Sequence, residues 1–308
     1  MNNKILLIVL VILLGVYGAY EWMGGDARST FDPQLVKVDT ARVTQIEIAV
    51  KADSMQPFTL EKAAGQWYVV KGEKRYPADA AAVGELLGNL LSLRATHIAA
   101  KSASEWPNFE LGEAQANRIS IFEGKKKTAE IFTGKFDVDP QAQRFKSYFR
   151  TAKGDEVYAV EGMAGMMLGN GYQHYRDKRA LEFEIQPVER IQVDGEGAYT
   201  VEKTTNGWLL DQQIPIDSSR VQNFLMNLRR LSGDAFAEDF DPQSNQGKLY
   251  KTLTLSGKSM PEPIVVKCWR DTSWVKPYVI QTSQFPMSFF ASDSLRLYKR
   301  IFKPVQEW

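Results

Sequence analysis

Two stretches of the chain, 59–93 and 200–231, carry the same pattern, and any fold must accommodate it twice. The first reads Thr59-Leu60-Glu61-Lys62, a Gly turn, Trp67, Pro77-Ala78-Asp79, then Val83, Leu86, Leu87, Leu90 and Leu93. The second reads Thr200-Val201-Glu202-Lys203, Trp208, Pro215-Ile216-Asp217, then Val221, Phe224, Leu225, Leu228 and Leu231. From the Pro onward each matched pair is 138 positions apart, with no gap in the helical run. Self-similarity at a fixed offset is the mark of one folding unit used more than once.

Each half of the pattern implies local structure. Phe58–Glu61 and Gln66–Val70 flank Ala63-Ala64-Gly65, and Tyr199–Lys203 and Trp208–Leu210 flank Asn206-Gly207, so both read as hairpins. Asp79 and Asp217 each stand two residues after a Pro, where a carboxylate can accept from the unpaired first N–H groups of a helix. The apolar positions that follow recur at i, i+3, i+4 and i+7, which predicts one amphipathic helix per copy, ending near Arg94 and near Ser232-Gly233. Trp67 and Trp208 are read as covers for these helices, because indole rings supply large buried area.

Period-2 alternation supplies the remaining elements. Ile46, Ile48 and Val50 predict a half-buried strand, matched by Ile191 and Val193. Arg118–Phe122 turns at Glu123-Gly124 into a return strand over Thr128–Thr133, and its counterpart leads through Ser256-Gly257-Lys258 into Pro263–Trp269. Strands at Phe145–Arg150 and Val157–Val160 complete the first copy, with Tyr148 matching Tyr278. The offsets fall steadily from 145 to 130, as for one unit with progressively shorter loops. The run 162–171, rich in Gly and Met, lacks the spacing of a dinucleotide loop and reads as a short helix and its exit.

The N-terminus carries Lys4, an uncharged apolar run from Ile5 to Tyr20, and then Glu21. Its length approaches the ~17 to 25 residues of a membrane-spanning helix. Val16-Tyr17-Gly18 is a poor match to a signal-peptidase site, so an uncleaved anchor is the expected reading over a signal peptide. Lys4 before the run and Glu21 and Asp26 after it orient the N-terminus to the cytosol. The expected organisation is an anchor at 1–24, a linker at 25–42, a first α+β repeat at 43–172, a connector at 173–187 and a second α+β repeat at 188–308. The expected fold is thus α+β: an N-terminal transmembrane helix, then two tandem homologous units, each an antiparallel sheet with a hairpin and a packed amphipathic helix.

Composition narrows function mainly by exclusion. A net charge of +1 gives no basic field for nucleic acid, and 44% hydrophobic with 24% charged residues describes a folded globular chain. Cys268 is the one cysteine, so no internal disulfide forms, and its alternating context reads as a strand interior. His97 and His174 fit no metal spacing, and no nucleophile elbow or phosphate loop is present, so no catalytic residue, cofactor or metal site is assigned. Lys125-Lys126-Lys127 reads as a solvated hairpin tip.

The T-x-E-K…G-x-W element, the P-x-D cap with its Leu-rich helix, and the junction Tyr172-Gln173-His174-Tyr175-Arg176-Asp177-Lys178 carry a resemblance. With the N-terminal anchor, they resemble a bacterial family of single-pass membrane proteins of unknown function with a duplicated extracytoplasmic domain. Members of that family are associated with auxiliary components of gliding-motility-type ABC transporters. The resemblance implies a non-enzymatic, membrane-anchored periplasmic accessory or scaffold subunit in the bacterial inner membrane, partnered by transporter subunits. It supplies no catalytic residues. Tyr175, Arg176 and Asp177 are the candidate inter-repeat junction or partner contact. The alternatives are a periplasmic module binding a peptide, glycan or lipid, and a hydrolase built on carboxylates.

Overall fold

A computed structural model describes residues 32–139 and 144–308. They form two compact units, the first closing at Tyr175 and the second running from Arg176 to Trp308.

In the first unit, antiparallel strands β1 (Val43–Ala49), β2 (Phe58–Ala63), β3 (Gln66–Lys71) and β4 (Lys74–Pro77) lead into helix α1 (Ala80–Ser92). Then come β5 (His97–Ala100), β6 (Asn117–Glu123), β7 (Lys126–Asp139), β8 (Arg144–Thr151), β9 (Val157–Glu161) and the single turn α2 (Ala164–Met167). They build one nine-stranded sheet in the order β4-β3-β2-β1-β6-β7-β8-β9-β5. The sheet turns on β1, which pairs with β2 on one side and with β6, far along the chain, on the other.

The second unit opens with β10 (Arg179–Glu182), β11 (Arg190–Gly195), β12 (Tyr199–Thr204), β13 (Gly207–Leu210) and β14 (Ile214–Ile216), followed by α3 (Ser218–Leu228). It continues with β15 (Arg230–Ser232), β16 (Leu249–Ser256), β17 (Ile264–Arg270), β18 (Tyr278–Thr282), β19 (Phe290–Ser292) and α4 (Leu297–Ile301). Its eight-stranded sheet runs β14-β13-β12-β11-β16-β17-β18-β19, while β10 and β15 pair separately.

Local chemistry explains both helix starts. Asp79 accepts from the backbone N–H groups of Ala81 and Ala82, and Asp217 accepts from that of Ser219, so each closes donors that the first turn leaves open. Helix α1 turns Val83, Leu86, Leu87 and Leu90 into a core with Ile46, Ile48, Leu60 and Ile121. Helix α3 does the same with Val221, Phe224, Leu225 and Leu228 over Ile191, Val201, Leu253 and Val266. Each such fully buried side chain contributes roughly 1.5 to 3 kcal/mol. Trp67 and Trp208 are half-buried and pack against these two cores. At the turn after β16, Gly257 is obligatory for space, since a Cβ there would lie 1.8 Å from the carbonyl oxygen of Pro187.

The fold expected from sequence needs correction. Among the described residues extended antiparallel sheet dominates, and helix is confined to α1, α3 and short turns; these residues form two large antiparallel sheets rather than two helix-packed α+β units, and they include no transmembrane helix. The physical reason is that segments without a clear sequence period, such as β5, β10 and β15, satisfy their backbone groups by pairing with strands distant in sequence. Leu231 shows it locally: α3 stops at Leu228, and Leu231 is buried on β15 opposite Leu181 rather than on the helix stripe.

The expected anchor at 1–24 lies outside the described residues. Among the described residues no helix is long and apolar enough to cross a membrane. The longest, the 13-residue α1, rises only about 20 Å against a hydrocarbon core of about 30 Å, and one of its faces is exposed. The described residues therefore give no support to a single-pass inner-membrane protein with a membrane-held N-terminus and a periplasmic body.

Because Leu90 is fully buried beneath α1, Leu90→Ala should lower unfolding free energy by about 2 to 5 kcal/mol. Asp79→Ala should cost about 1 kcal/mol through the lost cap. Urea titration checks both; equal costs would mean that capping, not burial, holds α1.

Candidate functional site

The junction residues divide between the two units. Tyr175 is fully buried, its hydroxyl pKa raised far above the usual range by burial, and its carbonyl accepts from the N–H of Asp79 at 2.8 Å. Its ring lies 5.8 Å from that of Phe58. Tyr175 is therefore core of the first unit, tied to the residue that caps α1.

Arg176 begins the second unit. It is 3% exposed, donates from Nη1 to Oε1 of Glu238 at 2.6 Å, and lays its guanidinium 3.5 Å from the centre of the Phe236 ring. A guanidinium suits this place, being planar enough to stack while its edge pairs with a carboxylate. Asp177 instead serves a local turn: its carboxylate accepts from the backbone N–H and the guanidinium of Arg179, whose own pKa is raised chiefly by that contact. The ion pair of Arg176 is thus made inside its own unit, with a residue 62 positions away.

Glu238 and Phe236 lead into a cleft of about 430 Å³ between the loop that follows β15 and the loop joining β17 to β18. Phe240 forms its aromatic floor, 5.1 Å from Trp269, 5.7 Å from Trp274 and 5.3 Å from Phe289. Lys248 fixes the outer wall, pairing with Asp271 at 2.7 Å while its ammonium lies 5.0 Å from the Trp274 ring. The Asp271 carboxylate also accepts from the N–H and hydroxyl of Ser273. Lys248 first, then Ser273, hold its pKa down at about 2. Val275 stands fully exposed at the rim. An apolar floor with a few fixed charges is equipped for binding by burial and orientation.

Other sequence candidates have structural places. Cys268 is buried in β17, and burial pushes its thiol up to about 12, out of the range of a nucleophile. Lys125 sits in the β6–β7 turn, and Lys127 pairs with Glu130 at 2.7 Å. His97 lies on the edge strand β5, and His174 lines a groove beside α1. Among the described residues no three His, Cys, Asp or Glu side chains are grouped to hold a metal.

Sequence reasoning passed over two constellations. One is the aromatic cleft, whose signal was the density of Phe and Trp between Phe236 and Phe290. The other is Asp53, which accepts from the N–H of Tyr172 at 2.7 Å and pairs with Lys71, itself 3.8 Å from the Tyr172 ring centre. No local pattern marks that latch, because its parts are brought together by the sheet.

The chain belongs to the family described as a domain of unknown function, DUF4340, which matches residues 67–251, more than half of its 308 residues. No curated protein and no solved structure matches the chain.

Removing either member of the Arg176–Glu238 pair should cost about 3 kcal/mol, since each single change leaves a largely buried charge facing a changed neighbour. The double variant Arg176→Met with Glu238→Leu should cost less than the sum of the two by more than about 1 kcal/mol. A denaturation cycle measures this, and additive effects would mean that the pair is not coupled. The Asp271 contacts set a separate acid limit. Its folded pKa is depressed, so its contribution is complete above the ordinary carboxylate value near ~3.9 and is lost as pH falls through about 2. The Trp274 indole resonance should move over that window, and should not do so in Asp271→Asn.

Proposed function

We propose that this protein is a non-enzymatic accessory or scaffold subunit of a multiprotein complex, namely an ABC-type transporter. The observation that carries the reading is the aromatic cleft of the second unit. Its floor of Phe240, backed by Trp269 and Phe289, the wall of Trp274 and the fully exposed Val275 resemble the centre of a protein-binding patch. Such centres are enriched in aromatic residues and surrounded by polar rims. Here Glu238, Asp239 and Lys276 form the rim. The occupant proposed is an apolar segment of a transporter subunit. The choice of transporter rests on the resemblance carried by the T-x-E-K, P-x-D and Tyr172–Lys178 elements.

A second reading, a module that binds a small ligand, is favoured by one observation: the cleft volume of about 430 Å³ falls in the range of small-molecule pockets. The two readings separate experimentally. If the cleft holds a partner subunit, Val275→Asp should leave the melting temperature unchanged, because that side chain is already in solvent, and should weaken co-purification of the ATPase and permease subunits by about tenfold or more. Undiminished co-purification would rule out this cleft as the contact. Thermal stabilisation of the isolated chain by a small apolar compound, lost in Trp274→Ala, would favour the second reading.

A further inference from the structure

We propose that the first unit carries a binding site for a soft monovalent metal ion, Cu(I), formed by the thioethers of Met163, Met166 and Met167. The inference is independent of the cleft in the second unit. The backbone N–H groups of Met166 and Met167 both donate to the carbonyl of Met163, at 3.0 and 3.3 Å, which closes one tight turn. That closure puts the three methionines on neighbouring positions of one face, since residues three and four apart on a helical turn lie side by side.

The turn is firmly seated on its other side. Gly165 lies against β8 so closely that a Cβ would stand 2.5 Å from Oγ of Ser147, and Leu168 is fully buried. All three methionines are nevertheless between 42% and 56% exposed, and they line one pocket of about 240 Å³ against Leu86 and Asn89 of α1. Asn89 directs its side-chain amide to the Met167 sulfur at 3.7 Å, which holds that thioether toward α1. His174 lines the same pocket, its ring edge-on to Tyr175 at 5.0 Å.

Thioether sulfur is a neutral, polarizable donor, and such ligands select Cu(I) over the hard divalent ions that prefer carboxylates. Glu85 is the one acidic side chain lining the pocket, so the donor set is poor for Ca²⁺ or Mg²⁺. An imidazole beside three thioethers is compatible with the same ion. Metal spacings built from His, Cys and carboxylates do not reveal such a site, because methionine is not among them.

The test is anaerobic titration of the full chain with Cu(I) in competition with bicinchoninate, on a Cys268→Ala background that removes the thiol. One equivalent should be retained per chain. The triple variant Met163→Leu, Met166→Leu, Met167→Leu preserves apolar bulk and should weaken retention by roughly 100-fold or more, with an unchanged melting temperature reporting an intact fold. Failure of the Cys268→Ala chain to retain Cu(I) would overturn the proposal. So would equal retention by the leucine variant, or displacement of the ion by excess Ca²⁺. A variant that binds a protein partner as well as the parent chain does, but has lost Cu(I), supports the metal role over an apolar docking role for this groove.

Discussion

An antiparallel sheet with one apolar face must have that face covered, and most of this molecule follows from that requirement. In the first unit the face is built by alternate residues of strands far apart in sequence: Ile46 and Ile48 on β1, Leu60 on β2, Ile119 and Ile121 on β6. Helix α1 covers it with the apolar stripe of Val83, Leu86, Leu87 and Leu90. In the second unit Ile191, Val193, Val201, Leu253 and Leu255 make the equivalent face, and α3 covers it. Trp308 adds to that cover by stacking on Phe224 at 3.9 Å, while Arg220 of α3 donates to the carbonyls of Val305, Gln306 and Trp308.

Once the faces are covered, the edges and the connecting loops carry the remaining chemistry. The edge strands β4 and β14 both contain proline, and β4 adds Lys74 and Arg75, features that oppose pairing with another chain. The loops after β15 and between β17 and β18 gather the aromatic cleft, and the turn after β9 gathers the methionines. Both constellations rest on well-anchored neighbours. Arg150 shows the same economy within the sheet: it is buried, lies between Trp106 and Phe132, and donates through Nε to the carbonyl of Leu111.

What could be read from sequence was local. Asp79 and Asp217 announced helix starts because a cap depends on two or three adjacent residues. The Ala64-Gly65 and Asn206-Gly207 turns were legible because they require left-handed backbone: Ala64 and Gly65 have φ of 49° and 82°, and Gly207 has φ of 121°. Alternation at Ile46 and Ile48 and at Ile119 and Ile121 reported strands with one buried face. Pairing between distant segments was not legible. Nothing near His97 indicates that β5 will join β9, nothing near Arg176 points to Glu238, and nothing near Lys248 points to Asp271. The dominance of sheet, and with it the error in fold class, arose from such pairings. The Met-rich turn was visible as a turn, but its chemistry depends on the pocket that α1 completes.

The central claim is that each sheet and its covering helix are one cooperative structure. Native-state hydrogen exchange with residue resolution tests it most directly. The amides of Ile46 and Ile48 in β1 and of Leu86 and Leu90 in α1 should exchange through the same opening, with equal free energies and equal denaturant dependence. The corresponding set in the second unit, Ile191, Leu253, Phe224 and Leu225, should share a second common value. Exchange of the helix amides at loop-like rates while the β1 amides stay protected would contradict the account, because the sheets would then be stable without their cover.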